Sequence, residues 1–315
     1  MTAALTSISP RYGRVEGGES VTFAGTGFSD QIGDYTILID KIPCVATAAT
    51  TTSVTCTTGK RPGIVSPSMS IYIAGKGYVS LKGMQFHYVN LWSSENTWGG
   101  EFAPVEGDSV YVPKGLNLLV DVDSTPVLNA VLVEGSLIFA PNENDATHKR
   151  TFDAKYIFVK EGRLEVGTEE HPYTSKITIT MHGTKEDPYL PTYGNKMIGV
   201  RMGNLDMHGP VRVPTWTTMD KTELPGAKTI TLRVAVDWQV GEQIAIAPTS
   251  FEVDEAEKRF ITAIDRSNPD KPVLTLDQPL EFKHFAKTQY FGTDEFDMRA
   301  EVGLLSRNVV YRGDP

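Results

Sequence analysis

Cysteine is scarce: Cys44 and Cys56 are the two in 315 residues. Two thiols do not fill a tetrahedral metal shell, and no histidine cluster adjoins them. Long apolar runs are missing, and none approaches the roughly 18 residues that cross a bilayer. The sequence is therefore read as not membrane-spanning. Basic runs are missing as well, and the formal net charge is −9. Phosphate binding needs a basic face, so a nucleic-acid partner is excluded. Helical spacing is nearly absent. "EVDEAEKRF" (252–260) has helical composition but is short and flanked by strand-like residues, so it reads as a loop or a single turn. The opening Met1-Thr2-Ala3-Ala4-Leu5 lacks the basic start and apolar stretch of a signal peptide. There is no Asn-X-Ser/Thr sequon either. If the protein is secreted, the chain is expected to be an excerpt of a longer one.

What is present is a strand-forming pattern. Val, Ile, Thr, Tyr and Phe come in short runs broken by Gly, Pro, Asn and Asp, as in "SVTFAG" (20–25), "YTILID" (35–40) and "SKITITMHG" (175–183). The fold class is all-β. Residues 1–90 read as one immunoglobulin-like β-sandwich, with turn signals such as "RYGRVEGGES" and "TTGKRPG" between short strands. Cys44 and Cys56 sit in the strand-like "IPCVA" and "VTCTT". Two readings stay open on the residues alone. A disulfide would close a short loop, add about 3 kcal/mol and imply an oxidising compartment. The alternative is two buried free thiols.

From residue 91 the pattern becomes repetitive. "GSLIF" (135–139) returns as "GRLEV" (162–166) and "GNLDM" (203–207), at intervals of 27 and 41 residues, and "GTKEDPYLPTYGNK" (183–196) accounts for the longer one as an insertion. Such a phrase predicts a right-handed parallel β-solenoid over 91–217, in which Leu137, Leu164 and Leu205 form one core ladder and each Gly marks the same corner. The competing reading is a β-sandwich with a common hairpin phrase. Residues 218–296 read as antiparallel pairs, an inserted or flanking β-subdomain. "AEVGLLSRNVVYRG" (300–313) again combines strand formers with glycine, so 297–315 is expected to begin a further β-helix region, with open strand edges that call for more chain or a covering partner.

The first unit resembles IPT/TIG domains, on "ISPRYGRVEGGESVTFAGTGF" (8–28) and "IPCVATAATTTSVTCTT" (42–58). Within that family the cysteine pair is often bridged, which the resemblance implies for Cys44 and Cys56. The next part resembles the G8 domain, on "TWGGEFAPVEGDSVYVPKGLNLLVDVDSTPVLNAVLVEGSLIFAP" (97–141), "YIFVKEGRLEVGT" (156–168) and "LDMHGPVRVPTWT" (205–217). The order IPT, G8, then β-helix is that of the fibrocystin-like group. It implies an extracellular or ciliary-surface structural and adhesion protein, whose partners are other copies, other surface proteins or glycans, and no cofactor. G8 domains also occur in proteins linked to hyaluronan degradation, so the resemblance leaves a carbohydrate-active enzyme or a glycan-binding module as the alternative.

Catalytic signatures are missing. Asp121 and Asp123 are the nearest thing to a glycosidase carboxylate pair, sharing a face if their strand continues that far. The plainer reading puts them at a strand end, bonded to the following turn. His182 and His208, each the middle residue of a "MHG", are expected to stack on successive coils. With Asp206 they form a weak metal set; an edge ladder is the alternative. Acidic clusters at Glu252, Asp254, Glu255 and Glu257, and at Asp294, Glu295 and Asp297, lack EF-hand spacing and read as solvated loop charge. Trp98 and Trp216 are expected to plug an end or seam, rather than to form an exposed sugar platform.

Overall fold

The computed structural model describes residues 3–63, 67–142 and 144–314. Its described residues are strands joined by loops and three short 3-10 turns. The chain divides into two compact units. One runs to Gly209 and resumes at Asn308; the other is Pro210–Arg307.

The first unit opens with β1 (Ala4–Ser9), β2 (Tyr12–Arg14), β3 (Ser20–Thr26), β4 (Tyr35–Ile39), β5 (Ile42–Thr50), β6 (Ser53–Thr58), β7 (Met69–Ile73) and β8 (Gly77–Tyr78). All but β2 form one antiparallel sheet in the order β1-β3-β6-β5-β4-β7-β8. Period-two alternation puts Val21 and Phe23 of β3, and Val54 and Cys56 of β6, on the inner face. Register shifts at Leu5/Ser7 and Ala46/Ala48 bend two strands, as bulges do, so the sheet can wrap its core of Leu5, Phe23, Phe28, Ile37, Ile39 and Ile71. Cys44 and Cys56 are joined by a disulfide inside that core, 12 positions apart in the chain. The open choice between bridge and free thiols is thereby resolved in favour of the bridge.

Next come β9 (His87–Leu91), β10 (Ser109–Val112), β11 (Asn117–Leu119), β12 (Leu128–Val133), β13 (Ser136–Phe139), β14 (Lys149–Lys160), β15 (Arg163–Val166), β16 (Lys176–Met181), β17 (Met197–Arg201) and β18 (Asn204–Met207). From β9 to β16 the chain alternates between two sheets, and every pairing within them is parallel. One sheet runs β18-β15-β13-β11-β9-β2. The other runs β10-β12-β14-β16, and the long β14 also pairs β17. Leu118, Leu137, Leu164 and Leu205 stand in one register. The first three are buried, whereas Leu205, on the edge strand β18, is 43% exposed and outside the core. Aromatic edge-to-face contacts run Trp98–Trp92–Phe152–Phe139 through that core.

The recurring glycines form a second column. A Cβ on Gly135 would stand 2.3 Å from the carbonyl oxygens of Pro113 and Leu116. On Gly162 it would stand 2.6 Å from those of Gly135 and Val133, and on Gly203 2.7 Å from that of Gly162. Each pass of the chain lies too close to the one before for any side chain at this corner.

The second unit contains β19 (Trp216–Thr218), β20 (Thr229–Thr231), β21 (Gln243–Ile246), β22 (Glu257–Asp265), β23 (Val273–Leu276), β24 (Thr288–Phe291), β25 (Asp294–Asp297) and β26 (Glu301–Leu304). Six of them make an antiparallel sheet in the order β19-β26-β21-β22-β23-β20, and β24-β25 is a separate hairpin. Its core holds Trp238, Ile244, Ile261, Leu274 and Val302. This unit extends beyond the 218–296 read from sequence, because β19 and β26 pair with each other at its two ends. Only β27 (Val309–Gly313) rejoins the first unit, pairing in parallel with β16.

Candidate functional site

The feature that distinguishes the first unit is the way its antiparallel part runs into its parallel part. β2 stands outside the antiparallel sheet and pairs in parallel with β9 at Tyr12↔His87, Gly13↔Tyr88 and Arg14↔Val89. Further along, β9 pairs with β11 at Asn90 and Leu91. Tyr88 faces the core of the antiparallel part, its hydroxyl donates to the Gly59 carbonyl at 2.8 Å, and its own carbonyl accepts from Asn117 Nδ2 at 2.9 Å. Trp92, four residues later, is buried in the core of the parallel part.

A cluster of charged and aromatic side chains closes over this connection. Glu165 of β15 occupies the fourth position of "GRLEV", on the face opposite Leu164, yet it is 1% exposed. Its carboxylate accepts from the Tyr12 hydroxyl at 2.6 Å and faces Arg11 at 3.6 Å and Arg163 at 3.1 Å. Arg163 also donates to Asp206 at 2.7 Å. In the sheet order three strands stand between β2 and β15. At about 4.8 Å per strand, a flat sheet would hold Tyr12 and Glu165 about 19 Å apart. A Tyr and a Glu side chain cannot bridge that gap, so the sheet curls. Burial and the Glu165 carboxylate raise the Tyr12 hydroxyl above its ordinary range. Burial pushes His87 down to about 4, and the Arg11 guanidinium adds to the effect.

Two cavities flank β2. One, of 670 Å3, is lined by Arg14, Glu16, Lys60, Asn90, Ser94 and Asn96, among others. Arg14 is held by Glu19 at 2.7 Å. The other, of 180 Å3, lies at the Arg11 end and is lined by Lys82, His87, Arg163 and His171.

The residues singled out in the sequence are placed elsewhere. Asp121 and Asp123 lie beyond the end of β11 and serve separate partners. Asp121 accepts from the Ser93 amide and hydroxyl, and Asp123 contacts His148 Nε2 at 2.8 Å. His182 and His208 do not stack: His182 follows β16 and His208 follows β18, in different sheets. His182 contacts Asp153 at 2.8 Å and Asp314 at 3.5 Å, while Asp206 is engaged by Arg163. Among the described residues, no group of three or more His, Cys, Asp or Glu gathers at metal-binding distance. Glu257 differs from its neighbours. Instead of a solvated loop charge it is 3% exposed, accepting from the amides of Glu281 and Phe282 and facing Arg259 and His284. Trp98 packs on Trp92 and donates to its carbonyl at 2.7 Å, whereas Trp216 is 58% exposed and plugs nothing. Arg11, Tyr12, His87, Arg163 and Glu165 escaped sequence reasoning because they are scattered along the chain. The one local signal is the carboxylate at the fourth position of two successive repeats, Glu165 and Asp206, which share a register.

Residues 3–88 match the IPT/TIG domain family and residues 97–220 the G8 domain family. The chain thus joins an IPT/TIG domain to a G8 domain. Over 99% of its length it is similar to fibrocystin-L of Homo sapiens, at 36% identity, and of Mus musculus, at 34%. Over 93% it is similar to mouse fibrocystin, at 27% identity. The chain belongs with these fibrocystin-like proteins and spans 7% of the length of each. Among solved structures, the plexin A4 extracellular region aligns with 28% of this chain and 9% of its own, at 20% identity and a TM-score of 0.25.

Proposed function

We propose that this chain is a stiff spacer and interaction surface within an extracellular or cell-surface structural and adhesion protein. In this reading the G8 domain is a parallel β-solenoid, and the IPT/TIG domain is locked to its end. The observation that carries it is the passage of β2 and β9 from the IPT/TIG domain into the parallel G8 sheet. A shared sheet resists hinging, because bending it would break ladder hydrogen bonds. The buried Tyr12–Glu165 bond supports the same stiffness, and the disulfide fits an oxidising compartment. The partners would be other copies of the protein or other surface proteins, including those of cilia, meeting the exposed edges of β17 and β18.

Spin labels at Tyr78→Cys and Tyr189→Cys test it. Both positions are exposed, one in each domain, and both native cysteines are bonded to each other. A single narrow distance distribution is expected, and a broad one would overturn the spacer. Surface labelling of intact cells expressing the full-length protein tests the location.

A further inference from the structure

The 180 Å3 cavity beside β2 has an unusual lining. Arg11 and Arg163 bring two guanidinium groups to it, and Lys82 brings an ammonium with no ion-pair partner among the described residues. Two imidazoles, His87 and His171, also face it, and the ring nitrogens of neither have a hydrogen-bond partner among the described residues. His171 is set by a tight turn in which its amide donates to Thr168 Oγ1 at 3.1 Å and the Thr168 amide donates to the His171 carbonyl at 2.9 Å. The one carboxylate in the lining, Glu170, has its carboxyl held below the ordinary glutamate range, chiefly by its own backbone amide. Both arginines spend part of their donors on Glu165, and Arg163 spends its Nε on Asp206, yet a guanidinium has five N–H groups in a fixed fork, so donors remain for a further acceptor. The cavity, of 180 Å3 and open to solvent, has room for one anionic group.

We propose that this cavity binds a single oxyanion, a carboxylate or sulfate group on a small ligand. Lys82 and the free guanidinium edges supply charge, and the two imidazoles supply directional donors. Binding is linked to protons. His87 faces Arg11, Arg163 and Glu165, and His171 faces Arg11, Glu170 and Glu165; burial and Arg11 hold both below the ordinary imidazole range. An oxyanion between them favours the charged form of each, so it raises both, takes up protons, and binds more tightly as the pH falls below the ordinary histidine value. The site does not depend on the spacer reading, since a flexible junction with the same side chains would bind the same group.

The probes are sodium sulfate and sodium glucuronate, each titrated into the whole chain at constant ionic strength against sodium chloride. The histidine ring resonances are followed by NMR, and the heat by calorimetry in two buffers of different ionisation enthalpy. Saturable shifts of His87 and His171 are expected, with proton uptake, and affinity should fall by about tenfold in Lys82→Glu and in His171→Gln. Lys82 is exposed and His171 half-buried, so both variants should fold, and their unchanged melting curves verify this. A response to glucuronate alone assigns a sugar carboxylate, and a response to sulfate alone assigns a sulfated or inorganic source. A response no greater than that to chloride, or an unchanged one in both variants, overturns the site.

Discussion

Tyr12 and Glu165 lie 153 positions apart, yet the hydroxyl of one donates to the carboxylate of the other at 2.6 Å. The bond ties the IPT/TIG domain to the G8 domain, and it is made in a place where Glu165 has lost nearly all contact with water. Hydrogen bonds to a charged group contribute about 1.5–3 kcal/mol. Tyr12→Phe keeps the ring on which Arg11 rests and removes the hydroxyl alone. It should lower the stability of the first unit by that amount, read as a shift in the urea midpoint. Glu165→Ala should cost more, about 3–5 kcal/mol, because it leaves Arg11 and Arg163 facing each other without their shared anion. Equal midpoints for wild type and Tyr12→Phe would show that the bond contributes nothing.

The Cys44–Cys56 bridge closes a loop with a separation of 12 residues. Loop-closure entropy for such a span corresponds to about 3 kcal/mol. Reduction under native conditions should be slow, since both cysteines are buried, and reduced chain should melt at lower temperature in the IPT/TIG domain alone. Alkylation without reduction should add no mass to the folded or the unfolded chain. Two labels on the unfolded, unreduced chain would contradict the bridge.

The glycine column makes a sharper demand. A methyl group at Gly162 meets the backbone oxygens of Gly135 and Val133 at 2.6 Å, and backbone cannot swing aside as a side chain can. Gly162→Ala should destabilise the G8 domain by about 1–3 kcal/mol, the range typical of overpacking, and loosen amide protection in β13 and β15. Gly303 of β26 offers the control, because a Cβ there meets nothing within 4 Å. Gly303→Ala should stay within about 0.5 kcal/mol of wild type. Equal effects of the two substitutions would refute the close approach.

These glycines also show what could be read from sequence. "GSLIF", "GRLEV" and "GNLDM" differ at nearly every polar position, but steric crowding leaves glycine no substitute, and burial on one face keeps the leucine. Periodicity thus survives where one physical constraint acts at each pass. It misled at Leu205, because the same phrase on an edge strand has no neighbour to cover it. The histidines were misread for a different reason. "ITMHG" and "LDMHG" look alike, but the first ends a strand of one sheet and the second a strand of the other. The charged cluster at the junction was hidden because Arg11, His87 and Arg163 meet only after the sheet curls, and no local pattern encodes that curl.

Glu257 gives the last test, in the second unit. Its "DEAEKRF" surroundings suggest a solvated charge, yet the fold takes it out of water beside Arg259 and His284. Burial alone would raise its carboxyl. The amides of Glu281 and Phe282, then His284 and Arg259, outweigh burial and hold it below the ordinary glutamate value of 4.5. A depressed folded value means that the unfolded chain takes up the proton first. The stabilisation is therefore complete above the ordinary value and fades as the pH falls through the folded one. His284 reinforces the pair from geometry: one ring nitrogen faces the Ala247 carbonyl at 2.9 Å and the other faces Glu257 at 2.9 Å, so both have an acceptor. Amide exchange in β21, β22 and β23 should accelerate on acidification below that range. Glu257→Gln should already exchange faster at neutral pH, by the equivalent of about 3–5 kcal/mol, because it leaves a buried guanidinium and imidazole without their carboxylate. The variant should also lose much of the acid dependence. If its exchange in those strands responds to acid as steeply as in the wild type, then some other group carries the acid sensitivity of this unit.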